Sequence, residues 1–162
     1  MATQTNQTNA LNLSLISSIG GNPPAGWTVL TSSASAPTQQ AEMYAANGLS
    51  GTAYFNAQTN QIIVAFAGIA TVPTFLNSGT ITSGPLATGA TNIDTQILNG
   101  NPNVTATMQA AVNAFMQQVQ NSASQLATPF DISAANTSVT GLSIGGVYAQ
   151  LGAQFNDLRA CG

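Results

Sequence analysis

Residues 139–146 read VTGLSIGG, and this stretch decides the predicted fold. A β-prone run over residues 137–141 leads into it, and a helical pattern begins at about Gly145. Gly141 and Gly145 lie two residues before and after Ser143, which is typical of a strand-to-helix turn so tight that it exposes the serine hydroxyl. The sequence therefore predicts a strand, a sharp turn and a helix in that order. The apolar positions predicted to line this helix are Val147, Leu151, Phe155 and Leu158.

The clearest β signal in the chain lies upstream of this turn. Two β-prone runs, at residues 52–55 and 61–66, are separated by five turn-forming residues and predict a hairpin. The second run is continuously apolar from Ile62 onward, as expected for a strand that is covered on both faces. A further short strand is predicted over residues 27–31.

Two helices are predicted between these strands. The first covers residues 39–46 and is ended by Asn47 and Gly48. The second covers residues 106–120, where apolar side chains recur at helical spacing. Its predicted buried face consists of Met108, Val112, Phe115, Met116 and Val119. We interpret the two methionines as core residues, and we predict neither a cofactor nor a metal site.

Two stretches of the chain are predicted to be irregular. Residues 1–12 are polar and are expected to form a flexible N-terminal segment, which leaves residues 13–162 as a single domain. Residues 68–103 are rich in Gly, Thr, Ser and Asn and predict a long loop region. A lid-like segment, an assembly arm and disorder all remain open as interpretations of this region.

The low charge of the chain limits the partners that it can have. Charged residues make up 3 % of the 162 residues, the net charge is -3, and Arg159 is the single basic residue. Nucleic acid is therefore not an expected partner, because phosphate binding depends on Lys and Arg. A nearly uncharged polar surface also provides little repulsion between copies, so we expect self-association.

The sequence carries weaker indications of where the protein works. No apolar stretch approaches the roughly 20 residues of a transmembrane helix, and the N-terminal residues do not form a classical signal peptide. The abundance of Asn, Gln, Ser and Thr, with no lysine, favours an extracellular or cell-surface protein of a bacterium. The single cysteine, Cys161, excludes an internal disulfide bond.

Taken together, these landmarks resemble the class 3 lipase family of α/β hydrolases. Residues 139–151 are similar to the family's nucleophile elbow and the helix after it, and residues 59–68 are similar to the earlier strand that leads into the oxyanion loop. The predicted helix at residues 106–120 lies between them, where the family has one. The resemblance spans roughly residues 41–158 and implies an α/β fold with an incomplete α/β-hydrolase-like sheet flanked by helices.

The resemblance also implies a catalytic site. Ser143 would be the nucleophile, and the backbone N–H groups of Ile69 and Ile144 would hold the oxyanion. The chain departs from the family pattern at three positions close to that site. Leu142 stands where the family usually has histidine, and Ala67 and Ile69 stand where it usually has arginine and then Ser or Thr.

A further departure concerns the base that the chemistry needs. The sequence contains no histidine, whereas the family's catalytic acid and histidine lie downstream of the elbow helix. A serine hydroxyl is a poor nucleophile until a neighbouring base removes its proton, so we predict that the isolated chain is inactive. The acidic residues offer no evident replacement and are interpreted as solvated surface groups. They are Glu42, Asp94, Asp131 and Asp157.

Two functional hypotheses follow. In the first, the chain is a non-catalytic structural protein that assembles into a homo-oligomer or filament through a sheet edge left uncovered after the nucleophile strand. In the second, it is a serine esterase or lipase that acts on an ester or lipid substrate and receives its histidine and acid from another chain or from a missing C-terminal part. A chance GxSxG match on another fold is a third, weaker hypothesis.

Overall fold

The computed structural model of the chain describes residues 4–19, 21–67, 99, 104–142 and 144–161. The strands in these ranges form one mixed sheet, and the helices lie on both of its faces, which confirms the predicted α/β class. The strands are β1 (Trp27–Ser32), β2 (Gly51–Asn56), β3 (Gln61–Phe66), β4 (Thr137–Gly141) and β5 (Arg159–Cys161). The helices are α1 (Gln4–Ile19), α2 (Thr38–Ala46), α3 (Val104–Ala123) and α4 (Ile144–Ala153), with short 3-10 turns at Ser33–Ser35 and Phe155–Asp157.

The sheet has the strand order β1-β2-β3-β4-β5, and it changes from antiparallel to parallel at β3. Strands β1, β2 and β3 pair antiparallel, whereas β3, β4 and β5 run parallel. Phe66 at the end of β3 pairs with Gly141 at the end of β4. The carboxyl ends of these two strands therefore lie side by side at one edge of the sheet.

The predicted hairpin is confirmed by β2 and β3, which pair without interruption from Gly51 opposite Phe66 to Asn56 opposite Gln61. The turn is built by two asparagines. The Asn56 side-chain oxygen accepts hydrogen bonds from the backbone N–H groups of Gln58 at 3.0 Å and of Thr59 at 3.1 Å. Asn60 closes the turn in the left-handed region with φ 55°, which asparagine tolerates better than most residues.

One face of the sheet carries the main core. Ile62, Val64 and Phe66 of β3 pack there against α2, α3 and α4. The predicted apolar face of α3 is confirmed, since its members are all buried: Met108, Val112, Phe115, Met116 and Val119. The rings of Phe66 and Phe115 meet edge to face with centroids 5.8 Å apart.

The opposite face of the sheet is covered by α1, a helix that the sequence analysis did not predict. Ala10 and Leu13 of α1 are buried against Ile63 and Ala65 of β3, and the polar segment predicted over residues 1–12 is helical from Gln4 onward. The buried stripe of α1 is made of small or isolated apolar side chains, so its helical period is weak in the sequence. Strand β3 is thus buried on both faces, as its unbroken apolar run predicts.

The C-terminal part of the chain differs from the sequence prediction in two respects. Helix α4 ends at Ala153, so Phe155 and Leu158 do not continue it, and Val147 is 39 % exposed. A fifth strand, β5, pairs with β4 over residues 138–140, so β4 is not the edge strand that the self-assembly hypothesis assumed.

Two further predictions concern the loop region at residues 68–103 and the absence of a transmembrane helix. The predicted loop region at residues 68–103 lies outside the described residues, apart from Asn99. Among the helices that the structure describes, none has both the length and the apolar character required to cross a membrane.

Candidate functional site

The strand-turn-helix unit predicted around residues 139–146 is present as β4 and α4. Only two positions separate the last residue of β4, Gly141, from the first residue of α4, Ile144. The backbone N–H of Leu142 points to the carbonyl oxygen of Phe66 at 3.4 Å, and the N–H of Gly145 donates to the carbonyl of Leu142 at 3.0 Å. The turn therefore lies against the carboxyl end of β3. Ser143 itself lies outside the described residues.

The two glycines that flank the serine are in steric contact with backbone atoms. A Cβ atom on Gly141 would lie under 3.0 Å from the carbonyl oxygen of Gly145, and one on Gly145 would lie equally close to that of Phe66. Real Cβ atoms essentially never approach so closely. At Gly146, by contrast, the nearest atom would be at an ordinary 3.7 Å. The geometry thus requires glycine at 141 and 145 but not at 146.

The predicted oxyanion donors can be placed only in part. Ile144 is the first residue of α4, and its side chain is buried with 6 % exposure. The first N–H groups of an α-helix have no acceptor within the helix, so this end of α4 presents donors toward the turn. Ile69 lies outside the described residues, and Leu142, at the position where the family usually has histidine, is 40 % exposed.

Tyr148 fixes α4 to the rest of the domain, and sequence reasoning missed it. Its hydroxyl donates a hydrogen bond to the backbone carbonyl of Asn47, just after α2, and its ring packs near that of Phe66. Gly152 lies on the same side of α4, where a Cβ would be 3.2 Å from the Phe66 ring. The spacing of Ile144, Tyr148 and Gly152 at intervals of four residues is the signal that could have revealed this face.

Two of the carboxylates lie near the amino ends of the parallel strands, away from the turn that follows the carboxyl end of β4. Asp131 precedes β4 and Asp157 precedes β5, so both lie toward the amino ends of parallel strands, whereas the turn follows the carboxyl end of β4. Asp131 also accepts a hydrogen bond from the Gln120 amide at 3.0 Å. Glu42 is an exposed residue of α2, and Asp94 lies outside the described residues.

Among the described residues, two core tyrosines have a shifted pKa. Burial raises the pKa of Tyr44 to about 12, and its hydroxyl donates to the Gln118 side chain at 3.3 Å. Burial also raises the pKa of Tyr54, and hydrogen bonds with Thr52 and Ser17 oppose that rise. Tyr44 joins α2 to α3 and Tyr54 joins β2 to α1, and neither group takes part in the proposed serine chemistry. Within the described ranges, no three His, Cys, Asp or Glu residues cluster in a way that could hold a metal ion.

The fold and the turn define this chain as an α/β protein with a mixed sheet and a glycine-flanked serine turn at the carboxyl end of a parallel strand. Comparison with models of known families, with curated proteins and with solved structures finds no match. The likeness to class 3 lipases therefore rests on the residues quoted above and remains a prediction.

Proposed function

We propose that this chain is a non-catalytic, self-associating structural protein built on a class 3 lipase-like scaffold. The observation that carries the proposal is the lack of histidine in all 162 residues. Two of the four acidic residues, Asp131 and Asp157, lie toward the amino ends of the parallel strands, whereas the turn follows the carboxyl end of β4. Without a base, the Ser143 hydroxyl keeps its proton, and loss of a triad member costs several orders of magnitude in rate.

Two observations support the lipase-like scaffold. Strands β3 and β4 are parallel neighbours, so the segment after Phe66, which resembles the oxyanion loop, leaves the sheet beside the serine turn. The close contacts at Gly141 and Gly145 supply the physical reason for a GxSxG pattern at this point. Chance occurrence of the five residues would not require this packing.

Self-association is supported by charge and by exposed apolar side chains. Ion pairs and like-charge repulsion are scarce in a chain with 3 % charged residues, so little opposes contact between copies. Five large apolar side chains are exposed among the described residues, although they are spread over several elements. They are Leu11, Leu15, Val29, Leu142 and Val147. A neutral surface rich in Asn, Gln, Ser and Thr also fits our proposal of an extracellular or cell-surface location.

A second candidate function is favoured by the serine turn itself. The backbone contacts at Gly141 and Gly145 exclude any larger residue there, as in the strained turn that holds the nucleophile of α/β hydrolases. In this alternative, Ser143 attacks an ester carbonyl and the amides of Ile144 and Ile69 hold the oxyanion. A second polypeptide or a further segment supplies the histidine and the acid.

One experiment separates the two candidates. The purified chain is incubated with a short-chain chromogenic ester and, separately, with a fluorophosphonate probe, with the Ser143→Ala variant as the control. We expect neither turnover nor labelling above that of the variant, together with concentration-dependent sedimentation. Turnover or labelling that Ser143→Ala abolishes would reject the non-catalytic proposal.

A further inference from the structure

Strand β1 is an edge strand of the sheet that the described residues form. Within the described residues, β1 pairs with β2 alone. The N–H of Ala67 donates to the carbonyl of Ser50 at 2.8 Å, and this pair continues the β2–β3 register. Because hydrogen-bonded pairs alternate in an antiparallel ladder, Tyr54 directs its backbone groups toward β3. Val29, the partner of Tyr54 on β1, therefore directs its N–H and C=O away from β2, toward the open edge.

The chemistry of this edge does little to prevent pairing with another strand. Proteins protect exposed edges with charged residues, especially lysine, and with proline. The six residues of β1 contain neither, and Val29 is 56 % exposed. The one protective feature is an irregularity of register between Val29 and Thr31, which shortens the straight part of the strand. A partner strand can thus form a short ladder centred near Val29.

The other edge of the described sheet is less suited to pairing. Strand β5 is three residues long, begins with Arg159 and follows Asp157. Two of the five charged residues of the chain therefore lie at or next to this edge. Charges at a strand edge act as gatekeepers, because pairing would bring them close to another chain and remove part of their hydration.

We propose that β1 pairs antiparallel with β1 of a second copy of this chain, about a two-fold axis at Val29. In that register each Val29 exchanges both of its free backbone hydrogen bonds with its symmetry mate, and the two exposed valine side chains lie opposite each other. The occupant is a second copy because the outward N–H and C=O of Val29 complement those of the same residue across a two-fold axis. The six residues of β1 carry no charge, so two copies of this edge meet without repulsion.

The two-fold arrangement predicts a closed dimer rather than a filament. An isologous interface uses the same edge on both copies, so each chain consumes its β1 edge once and none remains for a third copy. The two five-stranded sheets join into one continuous sheet across the interface. This inference rests on the proposed self-association and adds to it the interface and the stoichiometry.

The first test places a charge at the centre of the edge. Sedimentation velocity over a concentration series is measured for the natural chain, for Val29→Lys and for the matched control Val147→Lys, whose valine is exposed on α4. We expect a monomer–dimer equilibrium for the natural chain and the control, and at least a tenfold higher dissociation constant for Val29→Lys. Thermal melts of the three proteins verify that Val29→Lys is folded.

The second test traps the register. In a Cys161→Ser background, Val29→Cys is treated with a short thiol-specific crosslinker, with Val147→Cys as the control. Opposed residues of an antiparallel pair have Cβ atoms roughly 4.5–5.5 Å apart, beyond the roughly 3.5–4.5 Å of a disulfide but within reach of a short crosslinker. We expect a covalent dimer from Val29→Cys alone.

The possible results distinguish this inference from the function on which it rests. Association that persists in Val29→Lys, or that is lost in Val147→Lys instead, overturns the β1 interface but leaves self-association standing. Species larger than a dimer that disappear with Val29→Lys would overturn the closed two-fold geometry. A natural chain that stays monomeric at every concentration rejects both proposals.

Discussion

Gly141 and Gly145 lie where neighbouring backbone atoms leave no room for a Cβ atom. The methyl group of an alanine at either position would overlap a carbonyl oxygen, either that of Gly145 or that of Phe66. Relief of such an overlap requires α4 to move away from β3 and β4, which separates Tyr148 from the carbonyl of Asn47. The cost of alanine at these positions is therefore set by packing of whole elements and not by the glycine backbone alone.

We predict that Gly141→Ala and Gly145→Ala each lower the free energy of unfolding by about 3 kcal/mol or more, as is typical of forced overlap in a packed core. Gly146→Ala is the matched control, because its Cβ would meet nothing closer than 3.7 Å. There we expect no loss, or a gain of about 0.5–1 kcal/mol from replacing glycine in a helix. Urea unfolding measures all three, and equal losses at 145 and 146 would contradict the close approach.

Asn60 provides a second prediction at the scale of one residue. Its φ of 55° lies in the left-handed region, where a residue with a Cβ costs roughly 1–2 kcal/mol and a β-branched residue is an outlier. We expect Asn60→Val to destabilise the chain by about 1–2 kcal/mol and Asn60→Gly to be neutral or slightly stabilising. Gln58→Val in the same exposed turn is the control. Urea midpoints measure the stability of the three variants. A midpoint for Asn60→Val as high as that for Gln58→Val would contradict the prediction.

At the scale of elements, the β2–β3 hairpin was predictable because its signal is local. Two β-prone runs and a short turn lie within 15 residues, and the Asn56 side chain accepts hydrogen bonds from two backbone N–H groups of the turn. The buried face of α4 was not predictable in the same way. Three of its five buried residues are small and let α4 approach Phe66 closely, while the larger Val147 is exposed. The five are Ile144, Gly145, Tyr148, Ala149 and Gly152. Hydrophobic period alone favours the larger side chains: it correctly included Leu151, which packs against the core, but it also included the exposed Val147 and missed Tyr148.

This account of α4 predicts the effect of removing one hydroxyl. Tyr148→Phe leaves the carbonyl of Asn47 without that donor while preserving the ring beside Phe66. We expect a loss of about 1–3 kcal/mol in the free energy of unfolding, the usual cost of an unsatisfied buried polar group. Val147→Ala on the outer side of α4 should cost less than about 0.5 kcal/mol. A larger loss for Val147→Ala than for Tyr148→Phe would restore the face predicted from sequence.

At the scale of the whole molecule, the sequence predicted one face of the sheet better than the other. The α3 face follows from five large apolar residues at helical spacing. The α1 face escaped notice because α1 is rich in Asn, Gln and Thr, and among its described side chains the buried apolar ones are Ala10 and Leu13. The candidate site was recognised from the glycines of the turn, which have a local steric cause. The edge position of β1 depends on strand order, which no local pattern encodes.

The pH dependence of stability is also a property of the whole domain, because the buried tyrosines join different elements. Tyr44 of α2 bonds to Gln118 of α3, and Tyr54 of β2 bonds to Ser17 of α1. Burial raises the pKa of Tyr44 from its usual 10.0 to about 12, so at alkaline pH the folded state retains a proton that the unfolded state has lost. Stability from this group is fully present below pH 10.0 and is lost as the pH rises toward about 12. Tyr54 acts in the same direction.

We therefore predict that urea midpoints fall steadily from pH 10.0 to about 12, and that Tyr44→Phe makes this fall shallower while lowering stability at neutral pH. The loss at neutral pH arises because the hydroxyl of Tyr44 no longer donates to Gln118, which in turn bonds Thr31 and the carbonyl of Ser32 on β1. Tyr54→Phe is the companion variant for the α1 face. If both variants kept the alkaline slope of the natural chain, the titration would have to arise elsewhere in the domain.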